Sequence, residues 1–126
     1  MNPIQAMLFD LDGTLLDSAP DLIGSLNHVR DSLNLDPLPV EAYRAFVSHG
    51  AVGLLNAGMP KTDQETFEHW RLAFLEHYAA NSFHDSKLFD GVHELLEFLE
   101  NAHIPWGVVT NKIEVLTRPI MIEAQL

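Results

Sequence analysis

Cysteine is absent from the 126-residue sequence, and basic residues are scarce. Without cysteine the chain can form neither a disulfide nor a thiolate metal site, and it has no thiol nucleophile. Seven lysines and arginines stand against 18 aspartates and glutamates, which gives a formal net charge of −11. A surface this acidic repels phosphate backbones and anionic lipids, so we expect neither a nucleic-acid nor a membrane partner. An anionic substrate would therefore require a local cation.

Long apolar runs are also missing. No stretch approaches the roughly 20 apolar residues that a membrane span requires. Residues 1–5 lack the cationic start of a secretory signal, and Asp10 and Asp12 interrupt the apolar segment that follows. We therefore expect a cytoplasmic protein. A hydrophobic fraction of 47% with 20% charged residues is typical of a folded globular domain.

Most of the chain has the apolar periodicity of helices. We expect Asp17, Ser18 and Pro20 to supply the N-cap and first turn of the first helix, with Asp17 as the cap. We also expect Thr62 and Glu65 to form a capping box, Asp90 to cap a later helix and Thr117 to cap the last. The long helix after Thr62 carries one apolar face that we expect to pack in a core: Phe67, Trp70, Phe74, Leu75 and Tyr78. The spacing predicts helices up to about residue 35, over 40–47, 51–58, 62–81 and 90–102, and the beginning of one near Pro119.

Two short apolar segments, AMLF at 6–9 and WGVV at 106–109, are typical of buried strands. Polar residues follow each of them, Asp10 after the first and Thr110 after the second. Strands separated by helices predict an α/β fold with a parallel sheet. Two strands are few for such a sheet, so we expect a sequence that stops before the later strands of its fold, the alternative being a small domain complete in itself.

The densest polar group is the segment FDLDGTLLDS, which overlaps the end of the first strand. Gly13 allows the backbone to turn, so the carboxylates of Asp10 and Asp12 can face one concavity, where they would suit Mg²⁺. An ordinary surface turn is the alternative, because Asp and Gly are common turn residues. An EF-hand loop is excluded, since its sixth and twelfth positions, counted from Asp10, are Leu15 and Asp21 rather than Gly and Glu.

The segment FDLDGTL resembles motif I, DxDxT, of the haloacid dehalogenase superfamily, and the strand that ends at Thr110 resembles its motif II. The residues between these motifs are similar to the helical cap of such phosphatases, with SHGA at 48–51 resembling the cap loop that faces the active site. WGVVTNK most resembles the bacterial phosphoglycolate phosphatase group, which includes relatives acting on N-acetylmuramic acid 6-phosphate. The resemblance implies part of a Rossmann-like core, residues 1–16 and 85–126, with an inserted helical cap, residues 17–84.

The resemblance also implies roles for individual residues. Asp10 would be the nucleophile, and Asp12 the general acid and base. The Asp10 carboxylate and the Asp12 main-chain carbonyl would bind the expected cofactor, Mg²⁺. Thr14 would support the motif, and Thr110 would donate its hydroxyl to a phosphoryl oxygen. The remaining candidates for substrate binding are Asn111, Lys112, His49 and Gly50, with an ordinary loop histidine as the alternative for His49.

The implied reaction is Mg²⁺-dependent hydrolysis of a small phosphorylated metabolite, such as 2-phosphoglycolate or an amino-sugar 6-phosphate, through an aspartyl phosphate. Asp12 favours phosphoryl transfer, because dehalogenating members of the superfamily lack an acid at that position. The family's downstream lysine and Mg²⁺-binding aspartates cannot be placed after Thr110, and Lys112 belongs to the TNK segment. We therefore expect a truncated chain that has little activity alone. A β-phosphoglucomutase-like phosphomutase and a non-catalytic Mg²⁺-binding regulatory domain are the alternatives.

Overall fold

A computed structural model describes residues 3–126, so the first two residues of the predicted core segment 1–16 lie outside the described residues. Within this range, no helix is both long and apolar enough to cross a membrane. The range contains both strands and helices, and its first four α-helices follow one another between the second and third strands. In order, the elements are β1 Met7–Phe9, β2 Leu16–Asp17, α1 Ala19–Ser32, α2 Val40–Tyr43, a 3-10 helix Arg44–His49, α3 Gly50–Gly58, α4 Gln64–Asn81, β3 Lys87–Leu88, α5 Val92–Asn101, β4 Trp106–Val108 and α6 Glu114–Glu123.

Strands β1 and β4 pair in parallel, with Met7 opposite Trp106 and Phe9 opposite Val108. The Val109 amide continues the ladder by donating to the Phe9 carbonyl at 2.8 Å. This confirms the predicted α/β fold with parallel strands. Because parallel strands end at the same edge of a sheet, the residues that follow β1 and β4 are brought together.

The prediction that these two strands are buried is wrong for one face of the sheet. Met7 and Phe9 pack against the core, but Leu8 is 71% exposed and Val109 is 60% exposed. Successive side chains of a strand point to opposite faces, and the described part of the chain provides no cover on the side of Leu8. Apolar composition identified the strands, but it did not reveal that one face lacks packing.

A second, antiparallel pair joins β2 to β3, with Leu16 opposite Leu88 and Asp17 opposite Lys87. The Phe89 amide donates to the Leu15 carbonyl at 3.0 Å and extends this pairing. The sequence predicted no regular element at the position of β3, which lies between the helices expected over 62–81 and 90–102. The pair brings together the two ends of the segment that contains α1–α4.

Helices α1–α4 share a core built mainly from the apolar faces of α1, α3 and α4. Phe74 and Tyr78 of α4 are buried, each with 1% exposure, which agrees with the apolar face predicted for the long helix. From α1 and α3, the buried side chains are Leu22, Ile23, Leu26, Val29, Leu54 and Leu55. The assignment of residues 17–84 to a cap domain stays a prediction.

The structure corrects several predicted helix starts. Asp63, not Thr62, caps α4, because its Oδ1 accepts the Thr66 amide at 2.7 Å. The N-cap residue of α5 is Gly91, with φ of 88°, and not Asp90 as predicted. The left-handed backbone at that position suits glycine, since a side chain would be strained there.

Two further predicted caps serve other purposes. Asp17 lies in β2 and accepts a hydrogen bond from Arg44 at 2.5 Å, while Ser18 occupies the N-cap position of α1. Thr117 and Pro119 lie inside α6, which begins at Glu114. The Thr117 hydroxyl donates to the Ile113 carbonyl at 2.9 Å, a bond to the preceding turn that threonine makes inside helices.

Candidate active site

A cavity of about 580 Å³ lies where the ends of β1 and β4 face helices α3 and α4. All but one of the predicted site residues line this cavity. Those that do are Asp10, Asp12, His49, Gly50, Thr110, Asn111 and Lys112. Thr14 is the exception. It is exposed in the turn after Asp12, where its amide donates to the Leu11 carbonyl at 3.2 Å.

The turn after β1 is fixed by two buried leucines and one glycine. Leu11 and Leu15 are 0% and 2% exposed, and the Leu15 amide donates to the Leu11 carbonyl at 3.1 Å. Gly13 has φ of 80°, a left-handed conformation that glycine adopts without strain. The Oδ1 atom of Asp10 accepts the Leu11 amide at 2.8 Å. Apolar anchoring of the turn therefore holds Asp10 and Asp12 at the cavity.

The Asp12 carboxylate is the centre of a hydrogen-bond network. Its Oδ1 accepts the Ser18 hydroxyl at 2.7 Å and the Lys112 ammonium at 3.0 Å. Lys112 also donates to the Tyr78 hydroxyl, and its Nζ lies 4.5 Å from the centroid of the Tyr78 ring. The network thus connects the turn after β1, the loop after β4 and helix α4.

Burial controls the protonation of this network. Burial lowers the pKa of Lys112, and the nearby Asp12 carboxylate opposes that change. Burial also raises the pKa of Tyr78, and the charge of Asp12 raises it further, so Tyr78 remains a neutral phenol at physiological pH. The neighbours of the Lys112 ammonium are the Asp12 carboxylate, the neutral Tyr78 hydroxyl and the face of the Tyr78 ring. All three favour the charged form of Lys112 and so oppose the effect of burial.

Thr110 and Asn111 follow the end of β4 at the same cavity. The Thr110 Oγ1 accepts the Lys112 amide at 3.2 Å. Because Thr110 Oγ1 is the acceptor in this contact, the hydroxyl hydrogen of Thr110 remains available for donation to a ligand oxygen. Across the cavity, His49 and Gly50 lie at the junction between the 3-10 helix and α3.

Oxygen ligands for a cation are present at the cavity, but they do not form a closed cage. Asp10 and Asp12 offer hard carboxylate and carbonyl oxygens, which suit Mg²⁺. One group of three closely spaced potential ligands occurs among residues 3–126, and it consists of Asp21, His84 and Asp85 rather than the two motif aspartates. Magnesium commonly takes one or two carboxylates plus water and substrate phosphate, so Asp10 and Asp12 fit an open site of that kind.

Sequence reasoning missed three residues at this site. Ser18 was expected only near a helix start, yet its hydroxyl contacts Asp12. Tyr78 was assigned to the apolar face of α4, and its polar end contacts Lys112. Arg71 also lines the cavity. The sequence did contain a signal for Arg71. This residue lies three, four and seven residues before Phe74, Leu75 and Tyr78, and this spacing places all four residues on one face of the helix.

Comparisons with known proteins identify the family of the chain. Residues 7–126 match the family model described as haloacid dehalogenase-like hydrolase. The chain is 39% identical over 117 residues to a phosphoglycolate phosphatase of Xylella fastidiosa (strain 9a5c), covering 93% of this chain and 51% of that protein. It is 40% identical over 119 residues to an N-acetylmuramic acid 6-phosphate phosphatase of Pseudomonas putida, covering 94% of this chain and 53% of that protein.

A solved structure shares the fold of this chain. The crystal structure of a predicted phosphoglycolate phosphatase from Haemophilus somnus 129PT superposes with a TM-score of 0.83 at 27% identity, covering 98% of this chain and 58% of that one. The chain spans about half the length of the curated relatives it matches.

Proposed function

Because the chain belongs to the haloacid dehalogenase-like hydrolase family, we propose that it carries the nucleophile and the acid–base residue of a Mg²⁺-dependent phosphomonoester hydrolase. The observation that supports this most directly is that Asp10 and Asp12 line one cavity together with Thr110. A carboxylate nucleophile, a second carboxylate and a hydroxyl donor are the groups that such a reaction requires.

In the first step, the Asp10 carboxylate attacks phosphorus in line with the leaving oxygen. The bond between phosphorus and that oxygen breaks, and the leaving alcohol takes a proton from the acid form of Asp12, which becomes the carboxylate that pairs with Lys112. In the second step, Asp12 accepts a proton from the water that attacks the aspartyl phosphate, which releases phosphate and regenerates Asp10. Hydrogen bonds from Ser18 and Lys112 keep the Asp12 side chain in one orientation through both steps.

The remaining groups hold the phosphoryl oxygens. Thr110 donates its hydroxyl, and Asn111, the next residue along the chain, also lines the cavity. The Asp10 carboxylate and the Asp12 main-chain carbonyl would hold Mg²⁺. Bound Mg²⁺ supplies positive charge that offsets the repulsion between the substrate phosphate and the aspartates, in a chain whose formal net charge is −11.

The substrate is a small phosphorylated metabolite. The names of the two relatives support 2-phosphoglycolate as the first candidate and N-acetylmuramic acid 6-phosphate as the second. We propose slow turnover for the 126 residues alone, because the charge-neutralising lysine and the additional aspartates implied by the family resemblance cannot be placed among them. Losing preorganised charge from a phosphoryl-transfer site typically costs orders of magnitude in rate.

Two measurements test this proposal. The first is Mg²⁺-dependent release of phosphate from 2-phosphoglycolate and from N-acetylmuramic acid 6-phosphate. The second is ¹⁹F NMR of beryllium trifluoride, which mimics a phosphoryl group on a carboxylate and requires no turnover. We expect Asp10→Asn to abolish both signals, and Asp31→Asn, at an exposed position of α1, to leave both unchanged.

The outcomes separate the rival functions. Phosphate release that survives Asp10→Asn would contradict the nucleophile assignment. If a beryllium trifluoride complex forms and depends on Asp10, but neither substrate releases phosphate, the result would favour a non-catalytic regulatory domain. Transfer of the phosphoryl group to a second sugar hydroxyl, in place of release to water, would favour a phosphomutase.

A further inference from the structure

Arg71 adds a positive charge to the wall of the cavity that α4 contributes. The other residues of this wall are Phe74, Leu75 and Tyr78, so its remaining surface is aromatic and aliphatic apart from the Tyr78 hydroxyl. Phe74 and Tyr78 are buried, whereas the Arg71 side chain retains 33% of its exposure. Arg71 therefore lines the cavity while part of its side chain remains exposed to solvent, next to the space that a ligand would occupy.

The two cations of the cavity differ in how firmly they are held. Lys112 is 8% exposed and donates to both Asp12 and the Tyr78 hydroxyl. Arg71 binds Glu68 on its own helix, through Nε at 2.8 Å and Nη2 at 2.5 Å. Glu68 is 49% exposed, and exposed ion pairs of this kind contribute little to stability. Arg71 can therefore exchange Glu68 for a carboxylate on a ligand at small cost.

Both candidate substrates carry a carboxylate in addition to the phosphate ester, as the words glycolate and muramic acid state. The planar guanidinium group can bind a carboxylate through two parallel hydrogen bonds. Asp10 and Thr110 would engage the phosphate end of the substrate, and Arg71 lies on the helical wall of the same cavity. We propose that Arg71 recognises the substrate carboxylate, so that the substrate class is phosphate monoesters that bear a carboxylate. This inference rests on the function proposed above.

A pair of ligands isolates the role of the carboxylate. 2-Phosphoglycolate and ethyl phosphate share the phosphate ester and differ in a carboxylate against a methyl group. We expect the chain with Mg²⁺ to bind 2-phosphoglycolate about tenfold more tightly in isothermal titration calorimetry, the size expected for one charge-assisted contact. Arg71→Met should remove this difference and leave the affinity for ethyl phosphate unchanged.

Three further variants sharpen the test. Arg71→Lys should retain part of the difference, because it keeps the charge but loses the two-pronged geometry. Glu68→Gln should enlarge the difference, because it removes the carboxylate that competes for Arg71. Arg118→Met is the matched control: Arg118 is 71% exposed, pairs with Glu114 on its own helix and lies outside the cavity lining, so the difference should persist.

Each outcome has one meaning. Equal affinity for the two ligands, a difference that survives Arg71→Met, or an equal weakening of both ligands by Arg71→Met would overturn the role of Arg71 while leaving the phosphatase proposal intact. Failure of both ligands to bind the unmodified chain in the presence of Mg²⁺ would overturn the proposed function itself. Circular dichroism of Arg71→Met checks that the chain retains the helix content of the unmodified protein.

Discussion

The ammonium group of Lys112 lies 3.0 Å from Oδ1 of Asp12, although 100 residues separate the two in the chain. Their side chains are 8% and 11% exposed, so this ion pair is largely removed from water. Ser18 and Tyr78 supply the neighbouring hydrogen bonds. The parallel pairing of β1 with β4 makes the contact possible, because it places the turn after one strand beside the loop after the other.

Replacing Lys112 by methionine should lower the free energy of unfolding by about 1–3 kcal/mol, because a largely buried carboxylate loses its cationic partner. Urea denaturation measures this change, and a double-mutant cycle with Asp12→Asn gives the coupling energy. We expect a coupling of at least about 1 kcal/mol. Arg118→Met, at an exposed ion pair, should change stability by less than about 0.5 kcal/mol. Equal effects of the two substitutions would contradict the special position of Lys112.

Asp21 ties helix α1 to the segment that precedes β3. Its carboxylate is 5% exposed and accepts the Ser86 amide at 2.8 Å, the Ser86 hydroxyl at 2.6 Å and the Asp85 amide at 3.0 Å. Asp21→Ala leaves these donors without an acceptor, so we expect a loss of about 2–4 kcal/mol in thermal or urea unfolding. Asp31→Ala, at an exposed position of the same helix, should have almost no effect. Similar losses for both variants would argue against this anchoring role.

The stability of the helical segment should fall in mild acid because of His77. Its ring stacks on His28 with centroids 4.2 Å apart, and its Nδ1 lies 2.9 Å from the Ser25 hydroxyl. Burial lowers the pKa of His77, and the charge of His28 lowers it further. The unfolded chain therefore binds the proton more readily than the folded chain, so stability is fully present above the ordinary value of 6.5 and is lost as pH falls below it.

Unfolding measured from pH 8 to 5 checks this prediction. His77→Gln should flatten the pH dependence. His84 provides a control of opposite sign, since its hydrogen bond with Asp85 raises the pKa of His84, and its contribution is lost as pH rises. His84→Gln should therefore make the decline in acid steeper. An unchanged profile in His77→Gln would rule out the proposed source of the decline.

Leu11 and Leu8 form a matched pair of apolar residues near the motif aspartates. Leu11 is 0% exposed beneath the turn, and Leu8 is 71% exposed on the open face of β1. We expect Leu11→Ala to cost about 2–5 kcal/mol through lost packing, and Leu8→Ala to remain within about 0.5 kcal/mol. Urea denaturation of both variants measures these changes in the free energy of unfolding. A comparable loss for Leu8→Ala would mean that a partner surface covers that face in solution.

Features encoded by neighbouring residues were predicted well. The strand at 6–9 and the turn through Gly13 depend on a short apolar run and a residue suited to positive φ, which are visible in the local sequence. The choice of Thr62 over Asp63 as a helix cap failed because adjacent polar residues are both suitable, and the path of the backbone selects one. The two-residue strands β2 and β3 have no periodicity of their own, so only their distant pairing reveals them.

Local sequence patterns supplied the candidates for chemistry: the spacing of Asp10 and Asp12 before Gly13, and the polar residues after the strand at 106–109, are visible without any structure. Tertiary structure decided which of these residues meet. The contact of Lys112 with Asp12 and the presence of Arg71 in the cavity wall depend on strand pairing and helix packing across long stretches of chain. Local propensity cannot encode such contacts, because they exist only after distant apolar faces are buried together.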